Sequence, residues 1–68
     1  MTTILFGLKT YSLGDPTAAR LMREAVRLRK AGRGRLARGL VALALKVEDG
    51  TLSAAEATEL EGPVRHVA

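Results

Sequence analysis

The sequence contains no cysteine, no tryptophan and only two aromatic residues, Phe6 and Tyr11. Without cysteine, neither a disulfide nor a thiolate–metal site can stabilise the fold, so a packed core or self-association must do so. A chain of 68 residues buries only about 60% of the surface that its unfolded form exposes. We therefore expect one small domain over residues 1–68, with a core of aliphatic side chains. Such a core favours helix packing over a sheet sandwich.

Long apolar runs are also missing. The longest strongly apolar stretch, Leu40–Leu45, is far shorter than the roughly 20 residues that span a bilayer. Residues 1–3 lack the positively charged side chains that open a secretory signal peptide. The sequence thus predicts no membrane-spanning helix and a cytoplasmic location.

Residues suited to catalysis or metal binding are sparse. The single histidine, His66, stands near the end of the chain, and the serines have no basic neighbour to activate them. Asp49–Glu56 matches the second half of an EF-hand calcium loop, but Leu45 and Val47 occupy the positions of its first two ligands. We interpret Ser53–Glu56 as a helix capping box. The sequence therefore predicts no enzyme, no cofactor and no metal site.

Turn and cap residues divide most of the chain into three predicted helices. Asp15 can accept hydrogen bonds from the free amides of a helix start, and Pro16 suits the first helical position. Gly32 and Gly50 are typical helix stops. The predicted helices cover Pro16–Ala31, Arg35–Glu48 and Ala54–Glu61, with a loose tail over residues 63–68.

The N-terminal apolar segment, residues 1–14, is ambiguous. Thr3–Phe6 has the composition of a strand, yet Ile4, Leu8 and Tyr11 share one helical face. A lone strand would have nothing to pair with inside the chain, so a helix is favoured. The fold class predicted here is an all-α bundle of three helices, or four if this segment is helical, completed by dimerisation.

A strand at Ile4–Leu8 would change the interpretation. The order strand, helix, helix resembles ribbon–helix–helix DNA-binding dimers, whose ribbons present alternating polar side chains to the bases. Leu5 and Gly7 do not suit that task. This resemblance is kept as a minor alternative.

The second predicted helix is apolar around much of its circumference. One seam combines leucine and valine at helical spacing, and Val41 and Leu45 extend the arc to a second face. Such a helix either lies centrally in the bundle or meets a partner chain, and we predict a homodimer interface at Val41 and Leu45. Gly39 costs this helix up to about 1 kcal/mol against alanine, which a closely passing helix would explain.

Positive charge is concentrated in one part of the chain. The formal net charge is +4, and eight of the eleven lysine and arginine residues lie between Arg20 and Arg38, where only Glu24 is acidic. On the first predicted helix, Arg20, Arg23, Arg27 and Lys30 form one stripe. The glycine–arginine turn after it, Gly32–Arg35, places arginines beside free backbone amides at a helix start, where anions bind readily. Arg29 is an exception that points toward the apolar side. The predicted anion-binding residues are Arg20, Arg23, Arg27, Lys30, Gly32, Arg33, Gly34, Arg35 and Arg38.

These features predict a non-catalytic binding module for an acidic partner, with nucleic acid first and an acidic protein surface second. No aromatic residue stands among the arginines in the sequence, which favours contact with a duplex backbone over stacking with single-stranded bases. The alternative function is a small regulatory or assembly protein that binds another protein through an apolar helix face. In that case the arginines serve only solubility.

Overall fold

The computed structural model describes residues 1–67 and shows a β-hairpin followed by three helices. The mostly helical architecture is confirmed, but the purely all-α class is wrong because the chain also forms a two-stranded sheet. No helix within residues 1–67 is both long and apolar enough to cross a membrane. The elements are β1 (Thr2–Phe6), β2 (Lys9–Leu13), α1 (Pro16–Lys30), α2 (Gly34–Glu48) and α3 (Ala54–Val67).

The N-terminal segment is a hairpin, so the prediction of a helix there is wrong. β1 and β2 pair antiparallel, with Ile4 opposite Tyr11. Gly7 and Leu8 form the two-residue turn, and Gly7 has a φ of 62° while Leu8 has a negative φ, the pattern of a type II′ turn. The second strand thus supplies the partner that a lone strand would lack. Because this pairing lies within one chain, it also differs from the intermolecular ribbon of ribbon–helix–helix dimers.

The first helix begins and ends close to the predicted residues. Asp15 Oδ1 accepts hydrogen bonds from the amides of Thr17 at 2.8 Å and Ala18 at 3.1 Å. At the other end Gly32 has a φ of 83°, and the Arg33 amide donates to the Leu28 carbonyl at 2.9 Å. This is a Schellman ending. It turns the chain sharply, so that α2 packs back against α1.

The core lies between α1 and α2 and is closed by the hairpin. Leu13, Leu21, Met22 and Leu40 are its largest fully buried side chains. Ile4 closes it from β1, and Ala57 from α3. The seam predicted on the second helix is buried throughout, at Leu36, Leu40, Leu43 and Val47.

The third helix is longer than predicted. Its capping box is present, since the Glu56 amide donates to Ser53 Oγ at 3.1 Å and the Ser53 amide donates to Glu56 Oε1 at 2.9 Å. The helix then continues through Pro63 to Val67, instead of ending at Glu61. The helical turns beyond Pro63 replace most of the predicted tail, whose last residue, Ala68, lies outside the described residues.

Contacts with α2 and within α3 explain why the helix continues. A Cβ atom built on Gly39 would lie 2.8 Å from Val64 Cγ1. Val64 packs partly buried against the core, and Arg65 pairs with Glu61 one turn earlier. These interactions offset the loss of the helical hydrogen bond that Pro63, which has no backbone N–H, cannot donate. The close approach predicted at Gly39 is therefore real, although a side chain makes it.

One carboxylate ties the end of α2 to the start of α1. Glu48 Oε1 accepts hydrogen bonds from the amides of Gly14 and Asp15, both at 3.0 Å, and Glu48 Oε2 also accepts from Gly14 at 3.0 Å. A carboxylate at a helix C-terminus is unfavourable to the helix dipole. Here the amide donors compensate the charge of Glu48, and these hydrogen bonds fix the connection between β2 and α1.

Candidate functional site

The predicted arginine stripe on α1 is partly neutralised by acidic residues. Arg20 Nη2 lies 3.1 Å from Glu61 Oε1 on α3, and Arg27 forms an ion pair with Glu24 one turn earlier on α1. Both arginines therefore have a partner within the fold. Arg23 and Lys30 are exposed and have no ion pair among the described residues.

Arg65 joins these pairs into a network between α1 and α3. Its Nη2 lies 2.9 Å from Glu61 Oε2 and 3.5 Å from Glu24 Oε2. Burial raises the pKa of the Glu61 carboxyl, but the hydrogen bonds from Arg20 and Arg65 outweigh it, and the pKa lies below its ordinary value. The hydrogen bond from Arg27 is the main reason that the pKa of Glu24 is also lowered. Both acids are thus held ionised, and two of the four stripe cations, Arg20 and Arg27, are engaged within the fold.

A second group of cations has no such neutralisation. We name the exposed basic side chains at the end of α1 and the start of α2 the junction cations: Arg29, Lys30, Arg33, Arg35 and Arg38. None of them has an ion pair within the described residues. No acidic residue occurs in the sequence between Glu24 and Glu48. This end of the molecule therefore carries a concentrated positive charge.

The first turn of α2 adds backbone donors to this end. Arg33 is its N-cap residue, and no side chain caps the helix there, whereas α1 and α3 both begin with side-chain caps. The first amides of a helix have no intrahelical partner and carry partial positive charge. Gly34 and Arg35, which the sequence placed in the anion site, are part of this uncapped turn. Gly32, also predicted there, belongs to the ending of α1, and its amide donates to the Arg29 carbonyl at 3.1 Å.

The hairpin brings an aromatic ring to the junction cations. Arg29 Cζ lies 5.8 Å from the centroid of the Phe6 ring, within the range of a cation–π contact. Gly7 lies beside the same guanidinium, since a Cβ atom there would be 3.8 Å from Arg29 Nε. Sequence analysis placed neither Phe6 nor Arg29 in the site. The sequence signal that could have found them is Gly7, because a glycine turn there forms the hairpin that holds Phe6 beside Arg29.

Two grooves flank the contact between Phe6 and Arg29. The first has a volume of about 250 Å³ and runs between the hairpin and α1. The second, of about 280 Å³, lies toward the start of α2. The first is lined by Leu5, Phe6, Gly7, Val26, Arg29 and Lys30, and the second by Phe6, Arg29, Gly34 and Arg38. Apolar walls and cationic rims thus meet at one end of the fold.

The predicted dimer interface is only partly at the surface. Val41 is 8% exposed and belongs to the core, whereas Leu45 is 37% exposed. Two apolar side chains of the hairpin, Leu5 and Leu8, are more exposed than Leu45. Of the two predicted interface residues, only Leu45 is available to a partner, and self-association through it stays a prediction.

Known proteins add no functional assignment. Comparisons with protein-family models, with curated proteins and with solved structures find no match for the chain. Within residues 1–67, no group of three histidine or acidic side chains is placed to hold a metal ion. The function must therefore be inferred from the junction itself.

Proposed function

We propose that this protein is a non-catalytic module that binds nucleic acid through the junction cations. The observation that carries the proposal is the contrast between the two basic groups. On α1, Arg20 and Arg27 are paired with Glu61 and Glu24, whereas the junction cations are exposed and lie in a stretch without acidic residues. A polyanion is the partner that such a concentration of charge attracts most strongly.

Helix dipoles distinguish the members of this group. Arg29 and Lys30 lie in the last turn of α1, where positive charge is favourable even without a ligand. Arg33 and Arg35 lie at the start of α2, where the dipole disfavours them. A phosphate group between these arginines and the free amides removes that conflict, and the guanidinium fork matches phosphate oxygens. Arg33 and Arg35 are therefore the best residues to test.

The alternative, a regulatory or assembly protein that binds through an apolar helix face, has less support. It depended on Val41 and Leu45 together, and Val41 is buried within the chain. An acidic protein surface could still contact the junction cations. The experiment that follows separates this partner from nucleic acid.

The test is fluorescence anisotropy with a labelled oligonucleotide, presented as a single strand and as a duplex, at several salt concentrations. Affinity should fall linearly on a log–log plot against salt, because each neutralised phosphate releases counterions. Replacing both residues, Arg33→Ala with Arg35→Ala, should weaken binding and flatten the slope by about one unit per lost contact.

A matched control removes the same charge elsewhere. Arg23→Ala with Lys46→Ala replaces two exposed cations that lie away from the junction, and it should weaken binding less than the junction variant. Equal affinity and slope for wild type and the junction variant would exclude the junction. No binding of either probe by wild type at low salt would refute the proposal and favour a protein partner.

A further inference from the structure

We propose that the grooves beside Phe6 and Arg29 take an unpaired nucleobase, so that the preferred ligand is a single strand. This rests on the proposed function, because the same junction cations hold the phosphates on either side of the base. It adds a contact to the base itself, which charge alone does not provide.

The aromatic ring is placed where a base could use it. Phe6 is the last residue of β1, pairs with Lys9 across the hairpin and is partly buried. Arg29 Cζ lies 5.8 Å from the centroid of the Phe6 ring. Bases in single strands stack on aromatic rings and on arginine planes. The pair therefore offers both kinds of stacking surface at the junction.

The walls of the grooves match the two chemistries of a nucleotide. Leu5 and Val26 give the first groove apolar walls beside Phe6, and Lys30 lies on the same groove. Gly34 and Arg38 line the second, and a side chain at Gly34 would meet open space. A nucleotide has an aromatic base, which can stack on apolar walls, and an anionic phosphate, which pairs with cations. Both parts fit this combination of apolar walls and cations.

The accessibility of the base faces distinguishes a single strand from a duplex. In a duplex the faces of each base are covered by its neighbours, so an open groove on the protein surface cannot stack with one unless it is unstacked at additional cost. In a single strand a base can be unstacked at a much lower cost, because no pairing is broken. The site therefore selects the strand over the duplex through Phe6 and Arg29, while the junction cations bind both.

The first experiment uses the wild-type protein and three probes of equal length: a single strand, its duplex, and an abasic strand with the same phosphates. We expect the single strand to bind at least about fivefold more tightly than the abasic strand, the lower end of what stacking one base contributes. Equal affinity for these two probes would refute the base site while leaving the proposed function intact. No binding of any probe would refute both.

The second experiment changes the ring. Phe6→Leu should abolish the preference for the single strand over the abasic strand, whereas Tyr11→Leu removes the other aromatic side chain, which contacts Lys9, and should keep that preference. Circular dichroism verifies that each variant is folded. A preference that survives Phe6→Leu would overturn the inference.

A fluorescence signal provides a test that does not depend on truncating Phe6. The chain has no tryptophan, so Phe6→Trp introduces a single reporter at the groove. Its emission should be quenched by the single strand and much less by the abasic strand. Equal quenching by both strands, or quenching by neither, would contradict stacking at this position.

Discussion

Gly39 lies in the middle of α2, where glycine is less favourable than alanine by up to about 1 kcal/mol. The contact with Val64 explains its presence, because a Cβ atom would approach Val64 Cγ1 to 2.8 Å. Valine is branched at Cβ and has few alternative rotamers, so it cannot easily turn away. The missing methyl group is what allows the end of α3 to pack on α2.

Gly39→Ala should therefore destabilise the protein in spite of its better helix propensity. We expect a loss of about 1 kcal/mol, or about 4–8 °C in Tm for a domain of this size. Adding Val64→Ala should recover part of it, since the second change removes the clashing atom, and a double-mutant cycle measures the coupling. Gly34→Ala, at an open position of the same helix, should be neutral or stabilising. A higher Tm for Gly39→Ala than for wild type would contradict the contact.

At the scale of the elements, α3 is held by ion pairs as well as by apolar burial. Among the apolar side chains described between residues 54 and 66, only Ala57 is fully buried, with Val64 partly so. Glu61, whose side chain is 15% exposed, holds the helix to Arg20 of α1. Because its pKa is lowered in the fold from the ordinary value of 4.5, its contribution to stability is present above that value and is lost as the pH falls through the lower pKa.

Thermal melts between about pH 7 and about pH 3 test this linkage. The Tm of wild type should decrease once the pH drops below the ordinary pKa of Glu61. Glu61→Gln should be less stable than wild type at neutral pH, and the two Tm values should converge in acid. Glu59→Gln changes an exposed carboxylate of the same helix that has no ion pair among the described residues, and it should not alter the pH dependence. A constant difference between wild type and Glu61→Gln at every pH would show that the ion pair is not the cause.

The same elements show which parts of the fold are predictable from sequence. Asp15, Gly32 and the capping box at Ser53 act on backbone groups within a few residues, so their patterns predicted helix ends correctly. The extension of α3 past Pro63 depends on Val64 and on partners from other elements. A local pattern contains no such information.

The candidate site follows the same division. The junction cations other than Arg29 were apparent as site residues from their charge cluster, because their sequence neighbours include no acid. The neutralisation of Arg20 by Glu61 was not, since the two residues are far apart in sequence. Phe6 was missed because its place beside Arg29 depends on the hairpin, and the hairpin in turn depends on a turn at Gly7 that was not recognised.

At the scale of the whole molecule, the fold encloses most of its own apolar surface. The seam of α2 is buried, and so is Val41. The exposed large apolar side chains of the described residues are scattered over the N-terminal residue, the hairpin, α2 and α3, at Met1, Leu5, Leu8, Leu45 and Leu60. The cytoplasmic location and the homodimer both stay predictions.

Sedimentation at high micromolar concentration tests the homodimer. If α2 mediates it, Leu45→Glu should shift the protein to a folded monomer, because Leu45 lies at the surface, and Tm should fall only by what dimerisation had contributed. Val41→Glu should instead unfold the chain, since it would bury an unpaired charge. Leu60→Glu, on α3 and also exposed, is the control and should leave sedimentation unchanged. A wild-type protein that sediments as a monomer would exclude the dimer.

The carboxylate of Glu48 has a consequence for how the molecule opens. It accepts hydrogen bonds from the amides of Gly14 and Asp15. The segment that follows β2 is therefore bound to the C-terminal end of α2. These amides can exchange with solvent only when that link breaks, and breaking it leaves a carboxylate without donors. The hairpin should therefore not fray as an independent terminus. We expect it to open together with α1 and α2, so that the grooves at the other end of the hairpin keep their shape for as long as these helices stay packed.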